Sequence, residues 1–586
     1  MDRNFLLAFI ISTVAIFIYY TLFPPPENTQ PEKSTAPSQI VEKVETSEKA
    51  ALPISEAEVQ PPPVLVKDAQ RKTITVENSV YKIEIDSLDG AVKSFFLKNH
   101  KHDSEPHFDI VDWVKSLFSG KKKVERPYDP SRLVNMVGEL SAENRVWKVA
   151  TGTDGIPLNY HASSEDITVM GTPQKLTLQA ATASGLEIFK TLVFNPDSYQ
   201  IEMEIKVLNR TGAAQKVAPQ INFGAGSVGV DGEAMPRPKV GMAYIDDDFD
   251  TYDDGDFEEG LRIQNPQWIG VMDTYFVTAI RTSDNSQFSG LLTPLDSMLN
   301  QSKVQVPKLT YIDQPLVLEK NQVYKRSFEL FVGPKIQSEL EKYDLTLPAS
   351  MDLGWFDFLA HPLLSVLRWI QGYVVNWGVA IILLTIIVRS VMFPLAYKGM
   401  ISMRKMSALN PKIKQIRDKN KGNKEKANKE IMQFYSQHKI NPMGGCLPMV
   451  LQIPVFIGLY QALMPAIELR HSPFMLWMQD LSAADFTLIL PMLMGATMFF
   501  QQSLAPTPAM DPMQQKMMKW MPVMMVFFFL SMPSGLVLYW VISNIISVGQ
   551  QLIFNRVAPI NVEEVLAKGK AKGKGKGKGK PKGKTK

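Results

Sequence analysis

Apolar residues form long runs at both ends of the chain, and between them lies a region in which apolar and polar residues alternate. The first run covers residues 5–23 and is long enough to cross a bilayer. No small-residue cleavage site follows this run, only three prolines. We predict an uncleaved transmembrane signal anchor over residues 1–23, with a cleaved signal peptide as the alternative.

The next two regions differ in how much apolar surface they can bury. Residues 24–66 are rich in Pro, Glu, Lys, Ser and Thr, a composition typical of a flexible linker. Residues 67–348 contain period-two runs, such as 73–76, 81–85 and 201–207, separated by turn residues. This alternation predicts a large antiparallel all-β sandwich domain.

The C-terminal part of the chain returns to apolar runs. In residues 349–373 the polar side chains share one narrow helical face, a pattern typical of an amphipathic helix that lies along a membrane interface. Residues 374–556 are predicted to form a five-span helical core. Its apolar runs are 374–394, 444–465, 486–504, 520–532 and 534–555. With the anchor, the chain is predicted to have six transmembrane helices.

The distribution of charge predicts how these helices are oriented. Loop 397–441 carries twelve Lys or Arg residues against three acidic residues, and the tail 557–586 is dominated by alternating Lys and Gly. Positively charged segments are retained on the cytoplasmic side of a membrane. We therefore expect a multi-pass inner-membrane protein with both termini in the cytoplasm and the β domain in the periplasm.

The basic loop contains two stretches of strong helix formers, residues 399–420 and 423–438, divided by a Lys-Gly-Asn break. This pattern predicts a helical hairpin that projects into the cytoplasm. Such a hairpin could receive an incoming chain or a ribosome. The alternative is an ordinary solvated basic loop beside anionic lipid.

Composition and motifs argue against several kinds of chemistry. The single cysteine, Cys446, excludes an intramolecular disulfide and a Cys-rich metal site. Nucleotide-binding GxxxxGK[ST], zinc-binding HExxH and GxSxG nucleophile motifs are lacking in the sequence. The acidic run 246–259 does not have EF-hand spacing, so we interpret it as a solvated loop. We expect no cofactor, no metal and no catalytic residue.

One charged residue lies inside a predicted span. Arg389 follows Thr385 by one helical turn, on the same face of the second span. An intramembrane charge usually faces a cavity or a polar partner. The alternative is that Arg389 reaches the lipid headgroups, since it is close to the cytoplasmic end of the span.

The last span carries a polar stripe. Its members recur at helical spacing and are Tyr539, Ser543, Ser547 and Gln550, widened by Trp540, Asn544 and Gln551. A helix surrounded by lipid would not carry such a stripe, so this face should meet protein or water. The third span adds Gln452 and Gln461, on opposite sides. The polar faces indicate either a hydrated groove or interhelical hydrogen bonds that hold the bundle together.

Several segments resemble the YidC/Oxa/Alb family of membrane protein insertases. Residues 387–395 resemble the family's second span, and residues 403–406, 410–413 and 441–448 resemble its cytoplasmic loop and third span. Residues 511–516 and 533–540 resemble the fifth and sixth spans. The similarity covers about residues 350–556 of the sequence, and the anchor with a large outer domain is the Gram-negative arrangement.

The resemblance implies a fold and a site. The outer domain would be a β-supersandwich, and the core would hold a hydrophilic groove open to cytoplasm and lipid but closed to the periplasm. The family's groove arginine corresponds to Arg389, and its neighbouring polar positions correspond to Thr385 and the pair Tyr539–Trp540. The family often has two tyrosines at that pair, so Trp540 departs from its pattern. With the polar stripes, the predicted substrate groove comprises Arg389, Thr385, Tyr539, Trp540, Ser543, Asn544 and Gln452.

The expected function is that of a membrane protein insertase and chaperone, acting alone or with the Sec translocon on nascent membrane proteins. The basic loop and tail would contact the ribosome or anionic lipid. Two other classes remain open on the residues alone. A secondary transporter would show inverted repeats with broken helices, and a membrane-anchored carbohydrate enzyme would show paired carboxylates in the outer domain.

Overall fold

The structure is a computed structural model that describes residues 71–101, 133–137, 144–152, 159–225, 240–299, 302–420, 422–438, 447–506 and 512–557. The predicted anchor 1–23, the linker 24–66, Cys446 and all but the first residue of the tail 557–586 lie outside the described residues.

The described part of the chain before residue 335 is built from short strands, as the alternating pattern predicts. In chain order the strands are β1 (Thr73–Glu77), β2 (Tyr81–Asp86), β3 (Val92–Lys101), β4 (Leu133–Asn135), β5 (Val149–Ala150), β6 (His161–Ala162), β7 (Asp166–Thr168), β8 (Gln174–Ala181), β9 (Leu186–Phe194), β10 (Gln200–Asn209), β11 (Gln215–Val217), β12 (Gln220–Ala225), β13 (Val240–Ile245), β14 (Asp248–Tyr252), β15 (Leu261–Gln264), β16 (Trp268–Met272), β17 (Phe276–Thr282), β18 (Ser289–Leu299), β19 (Ser302–Ile312), β20 (Leu316–Leu318) and β21 (Val323–Pro334).

These strands form a large sheet with smaller ones around it. The nine-stranded sheet has the order β14-β13-β16-β17-β21-β10-β9-β8-β6. Two five-stranded sheets have the orders β4-β3-β2-β1-β7 and β15-β18-β19-β12-β5, and β11 pairs with β20. The pairing is antiparallel except between β1 and β7. The runs 73–76, 81–85 and 201–207 fall within β1, β2 and β10, so their predicted strands are confirmed.

Two glycines set the distance between the nine-stranded sheet and the sheet of β18 and β19. A Cβ on Gly241 of β13 would lie 2.3 Å from Leu292, and a Cβ on Gly290 of β18 would lie 2.3 Å from Ile269. Side chains from the two inner faces therefore interdigitate through glycine positions, as close packing of stacked sheets requires. An all-β layered domain is the result.

The acidic run 246–259 is only partly the solvated loop that its composition predicts. Asp246 and Asp247 take positive φ and form the turn of a hairpin, and β14 then pairs with β13 at the edge of the nine-stranded sheet. Acidic side chains are tolerated in this strand because no described strand pairs with its other edge. Charge on such an edge also discourages pairing with other chains.

The described residues after 335 are mainly helical. The helices are α1 (Gln337–Tyr343), α2 (Asp357–Val374), α3 (Trp377–Ala408), α4 (Asn410–Lys419), α5 (Lys424–Gln437), α6 (Leu447–Leu463), α7 (Ile489–Leu504), α8 (Pro512–Phe529) and α9 (Ser534–Val557). Short 3₁₀ turns lie at Leu347–Met351, Gly354–Phe356 and Ile467–Leu469.

The amphipathic helix is shorter than residues 349–373 predict, because α2 begins only at Asp357. Asp352 and Gly354 have positive φ, which an α-helix does not allow, so the preceding residues form 3₁₀ turns. Trp369 and Tyr373 are exposed on α2, as expected of a helix at a membrane interface.

The helical hairpin exists, but the prediction of a single first arm over residues 399–420 is wrong. α3 continues through this region to Ala408, and a separate helix, α4, begins at Asn410. Pro411 explains the break, because in a continuous helix it could not donate to the carbonyl of residue 407 and its ring would clash there, whereas proline is tolerated in the first turn of α4. Leu409 at the break packs with Ile413 and Ile431, which gives the hairpin a small core of its own.

Two of the described helices, α3 and α9, are long and apolar enough to cross a membrane. α6 and α7 have 17 and 16 residues, and α8 has 18 residues with two lysines among them. The predicted number of six spans is therefore larger than the number that length and hydropathy support among the described residues.

The β domain and the helical core meet around the segment between α6 and α7. The Arg470 guanidinium lies over the rings of Tyr275 and Phe276, at 5.7 and 5.5 Å from their centroids. Arg368 of α2 donates to Gln337 of α1 (2.6 Å) and to Glu468 (2.9 Å). Cation–π contacts and paired charges therefore join the β domain, α2 and the α6–α7 segment.

Candidate functional site

Arg389 lies half-buried in α3, with its guanidinium directed at α9. Its Nε donates a hydrogen bond to Oγ of Ser543 at 2.6 Å. A guanidinium has five N–H donors, and no other hydrogen bond or carboxylate partner of Arg389 is found among the described residues. Arg389 therefore has an internal polar partner and retains unused donor capacity, which favours the cavity-facing alternative over headgroup contact.

Tyr539 lies one helical turn before Ser543 on α9 and joins a third helix. The amide Nε2 of Gln452 on α6 donates to the Tyr539 hydroxyl at 2.7 Å. Tyr539 and Ser543 are buried. The Oε1 atom of Gln452 is also buried and has no hydrogen-bond partner within the described part of the chain. An unpaired buried carbonyl is costly, so a donor group that enters beside Tyr539 would be stabilised by Gln452.

Asn544, on the neighbouring position of α9, is bonded to α7. Its Nδ2 donates to Oγ1 of Thr497 at 3.2 Å. This contact fits the interpretation that polar residues hold the bundle together. We use the name polar cluster for Arg389, Gln452, Tyr539, Ser543 and Asn544.

The start of α9 is fixed by the preceding segment, and this positions the polar cluster. The backbone N–H and the hydroxyl of Ser534 both donate to the carbonyl of Ala483, at 2.7 and 2.8 Å. The N–H of Gly535 donates to the carbonyl of Leu481 at 2.8 Å. Donors that a helix leaves unsatisfied in its first turn are thus satisfied, and the rotation of α9 is set.

Thr385 lies on α3 one turn before Arg389, as predicted, but its hydroxyl is used within its own helix. The Thr385 Oγ1 donates to the carbonyl of Ile381 at 2.6 Å, and the residue is buried. This bond is common for threonine in apolar helices. Thr385 thus contributes volume and a hydroxyl acceptor next to Arg389.

Trp540 is directed towards an aromatic group instead of hydrogen-bond partners. Its ring centroid lies 4.9 Å from that of Phe456 on α6 and 5.1 Å from that of Phe529 on α8. Edge-on aromatic contacts of this kind stabilise helix packing. Tyr539 therefore belongs to the hydrogen-bonded polar cluster, whereas the adjacent Trp540 belongs to an aromatic group.

The remaining polar residues of the stripe are mostly paired within α9. Ser547 donates to the carbonyl of Ser543 (2.8 Å), and Gln551 donates to Oδ1 of Asn555 (3.0 Å). On α6, Gln461 faces away from the polar cluster, and its Oε1 accepts the N–H of Phe356. The predicted opposite directions of Gln452 and Gln461 are confirmed.

Thr497 and Arg404 also make contacts to α9, and neither was predicted from the sequence. Thr497 is a polar residue inside the apolar run 486–504, and this isolation was a usable signal. Arg404 is one of twelve basic residues in loop 397–441, so nothing in the sequence distinguished it. Its Nη2 donates to Oδ1 of Asn555 at 2.8 Å, and its guanidinium lies 4.8 Å from the ring centroid of Phe554.

Two protein-family models match this chain, one over the β domain and one over the helical part. The YidC periplasmic domain matches residues 73–366, and the 60Kd inner membrane protein family matches residues 369–561. The chain belongs to the YidC family. These families place it in the inner membrane with a periplasmic β domain.

Curated relatives of this YidC-family chain agree along its length. A protein of Pelobacter propionicus named membrane protein insertase YidC is 34% identical over 95% of this chain and 99% of that protein. A protein of Vibrio atlanticus with the same name is 36% identical over 88% of this chain and 92% of that protein. These relatives are named as insertases, not as enzymes.

Among solved structures, an active YidC insertase with its first transmembrane domain resolved is similar at 17% identity, with a TM-score of 0.36. The similarity covers 84% of this chain and 94% of that one.

Proposed function

We propose that this protein inserts and helps to fold membrane proteins in the inner membrane, through a groove lined by the polar cluster. The observation that carries the proposal is Arg389, a half-buried cation on a membrane-spanning helix with one hydrogen bond and no carboxylate partner among the described residues. A charge inside the membrane is costly, so it usually faces a water-filled cavity or a polar partner. A polar segment of a substrate would be such a partner.

In the proposed mechanism a short polar segment of the substrate enters the groove before its apolar span. Arg389 attracts acidic or polar groups of that segment, and Gln452 and Tyr539 exchange hydrogen bonds with its backbone. Such contacts lower the cost of several kcal/mol for each polar group that would otherwise be unsatisfied in hydrocarbon. The groove thus replaces water for the segment that must cross.

The apolar span of the substrate then moves sideways into lipid. Burial of apolar surface supplies about 25 cal/mol per Å², so no bond is broken and no nucleotide is needed. Thr385 forms the floor of the groove in this proposal, and Trp540 braces α9 against α6 and α8. Ser543 holds Arg389 towards the incoming segment, and Asn544 holds α9 against α7.

The wider arrangement belongs to the same proposal. Six spans would place both termini and the hairpin of α4 and α5 in the cytoplasm. The basic loop and the Lys/Gly tail would attract a ribosome or anionic lipid, because both are rich in phosphate. Substrates would arrive as nascent chains, directly or from the Sec translocon.

The test is insertion of a small single-span protein, with an acidic leading segment, into vesicles without a membrane potential. Protease protection is compared for wild type, Arg389→Glu and the control Lys398→Glu, which reverses an exposed charge on the same helix. Loss of a charged hydrogen bond of about 1.5–3 kcal/mol corresponds to a roughly 10- to 100-fold slower insertion. We expect this loss for Arg389→Glu alone.

A second substrate with a basic leading segment makes the test specific. Arg389→Glu should insert it better than wild type does, because the charges again attract each other. Equal loss with both substrates would contradict recognition by charge. Insertion unaffected by Arg389→Glu would show that the groove is not the route, even if wild type is an active insertase.

A further inference from the structure

Left-handed backbone conformations are adopted by different residue types in the two halves of the molecule. In the described β domain the non-glycine residues with positive φ are Asn and Asp, apart from the buried Trp147. Asn and Asp adopt this conformation most readily, because their short polar side chains bond locally. In the helical half Asp352 and His471 adopt it, but so do three apolar residues, Val375, Leu476 and Leu488, with φ of 59°, 55° and 60°.

These three apolar side chains are also exposed on the protein surface. The exposed fractions are 80% for Val375, 47% for Leu476 and 48% for Leu488. A bulky or branched residue is strained in the left-handed conformation, and an apolar side chain in water offers no compensating burial. The surrounding structure can hold a strained backbone, but in water the exposed apolar side chains add no stabilisation, whereas an apolar cover would supply it.

The strained positions lie in a rigidly held segment. The Asn376 side chain donates to the carbonyls of Pro473 and Phe474, at 3.3 and 3.2 Å, and so ties the α6–α7 segment to the start of α3. Buried Asp485 accepts the Trp477 indole N–H (3.2 Å) and the Leu490 backbone N–H (2.7 Å). The exposed apolar side chains are therefore fixed in place.

We give the name outer apolar rim to the exposed apolar residues of this segment and of the turn before α3. Its exposed members are Val375, Met475, Leu476, Phe486 and Leu488. The stretches 473–479 and 486–493 around them contain no charged residue.

The position of the rim indicates what covers it. It surrounds the beginnings of α3 and α7, on the side where Arg470 contacts the β domain. From Leu488 the exposed apolar surface continues along α7 through Met492 and Leu493. Since α3 is long and apolar enough to cross the membrane, the rim lies at the end of a helix whose length and composition suit contact with lipid.

We propose that the outer apolar rim is a lipid-binding surface, seated among the acyl chains just below the headgroups of the leaflet that faces the β domain. Acyl chains supply the apolar cover that the strained side chains lack in water. The contact fixes the depth of α3 and α7, and through Arg470 the height of the β domain above the membrane. The proposal rests on the inner-membrane location, not on the groove.

The test measures lipid contact without any substrate. In a Cys446→Ser background, single cysteines replace Val375, Leu476 or Leu488 and carry an environment-sensitive fluorophore. The full chain is placed in vesicles whose lipids are brominated near the top of the acyl chain. The matched control is Met170→Cys, an exposed apolar residue (77%) of the β domain.

We expect brominated lipid to quench the three rim labels at least threefold more than the control label, and aqueous iodide to quench mainly the control. Quenching by iodide but not by bromine would overturn the proposal. Shielding from both quenchers would also overturn it, because a protein partner or a second copy would then cover the rim.

Asparagine substitutions give a second, independent measurement. Asn relaxes the left-handed backbone, so Leu476→Asn with Leu488→Asn should raise the Tm if these residues face water. If they face acyl chains, the lost apolar contact dominates, and the Tm in vesicles should fall. A raised Tm in vesicles would overturn the proposal even if insertion of substrates is normal.

Discussion

At the scale of single residues, a short contact orients the cation on which the proposed groove depends. Ser543 accepts from Arg389 Nε at 2.6 Å, and without this bond the guanidinium is free to turn towards lipid or headgroups. Ser547, one turn further along α9, bonds to the carbonyl of Ser543 in its own helix, and no other partner of its side chain is found in the described ranges. The two serines therefore form a matched pair for mutation.

We expect Ser543→Ala to slow insertion and Ser547→Ala to leave it unchanged. A hydrogen bond to a charged group contributes about 1.5–3 kcal/mol, and because Arg389 is misdirected but not removed, the loss should be smaller than for Arg389→Glu. Protease-protected substrate per unit time is the measurement. Equal effects of the two alanines would indicate a general weakening of α9.

Another residue-scale prediction concerns Lys190, which is buried in β9. Its Nζ donates to the carbonyls of Gly90 (2.6 Å) and Trp147 (2.8 Å). Burial lowers the pKa of Lys190 from 10.5 to about 7, and nearby Asp89 opposes this in part. Between pH 7 and 10.5 the unfolded chain therefore binds more protons at Lys190 than the folded chain does.

Stability should consequently rise with pH through this window, because the cost of burying a charged amine disappears as the amine becomes neutral. Below pH 7 that cost is fully present. Thermal unfolding of wild type, Lys190→Met and the exposed control Lys175→Met should be followed at pH 6.5, 7.5 and 8.5. The Tm of wild type relative to Lys190→Met should increase with pH, and a constant difference would contradict the lowered pKa.

From the sequence we could predict which helical face carries the polar side chains, but not which residues those side chains contact. Helical spacing was sufficient to place Tyr539 and Ser543 on one face, and their burial agrees with it. Spacing could not show that Thr385 bonds to its own helix, or that Trp540 joins Phe456 in an aromatic group. These outcomes depend on rotamers and on neighbouring helices, which periodicity does not encode.

At the scale of secondary-structure elements, the C-terminal ends of α3 and α9 are joined by Arg404. Its guanidinium lies over Phe554 and donates to the side chain and carbonyl of Asn555, at 2.8 and 3.3 Å. A cation that binds the last carbonyls of a helix also interacts favourably with the helix dipole. Arg404 therefore sets the distance between the two helices that carry Arg389 and Ser543.

We expect Arg404→Met to reduce insertion several-fold and Arg404→Lys to restore little of it. Lysine cannot reproduce the planar fork or the stacking on Phe554. Lys405→Met is the control, because it removes an exposed charge from the next position. A distance between spin labels at the ends of α3 and α9 should broaden in Arg404→Met. Rescue by lysine would mean that the charge alone matters.

Two element boundaries were predicted wrongly, although local residue chemistry explains both of them. Pro411 marks the break after α3, although the charge pattern of the loop concealed it and the arm was predicted as one helix. Gly354 likewise delays the start of α2. The spans were harder, since α8 contains lysines within its apolar pattern and is not apolar enough to qualify by hydropathy.

At the scale of the whole molecule, the joint between the β domain and the core could not be read from the sequence. Its contacts are long-range, such as His100 of β3 with Phe276 and Arg470 with the same ring. Burial lowers the pKa of His100 to about 4, assisted by Arg470 and His471, so His100 is neutral in the joint at physiological pH. Alternation and hydropathy predicted both domains but contain no information on how they meet.

The contacts between the β domain and the helical core predict where the β domain can be removed. A deletion of residues 71–334 keeps α1 and with it Gln337, the partner of Arg368, whereas a deletion of residues 71–345 removes both. Without Gln337, Arg368 loses a hydrogen bond of 2.6 Å and keeps Glu468 as its partner among the described residues. A hydrogen bond to a charged group contributes about 1.5–3 kcal/mol.

We therefore expect the shorter deletion to retain most insertion activity and the longer one to lose much of it, with a lower Tm. Arg368→Gln in the full-length chain isolates the polar contact and should lower the Tm less than the longer deletion does. Both deletions should be compared in vesicles by protease protection and thermal unfolding. If both remained equally active and stable, the core would be independent of α1. If both were inactive, the β domain would itself take part in insertion.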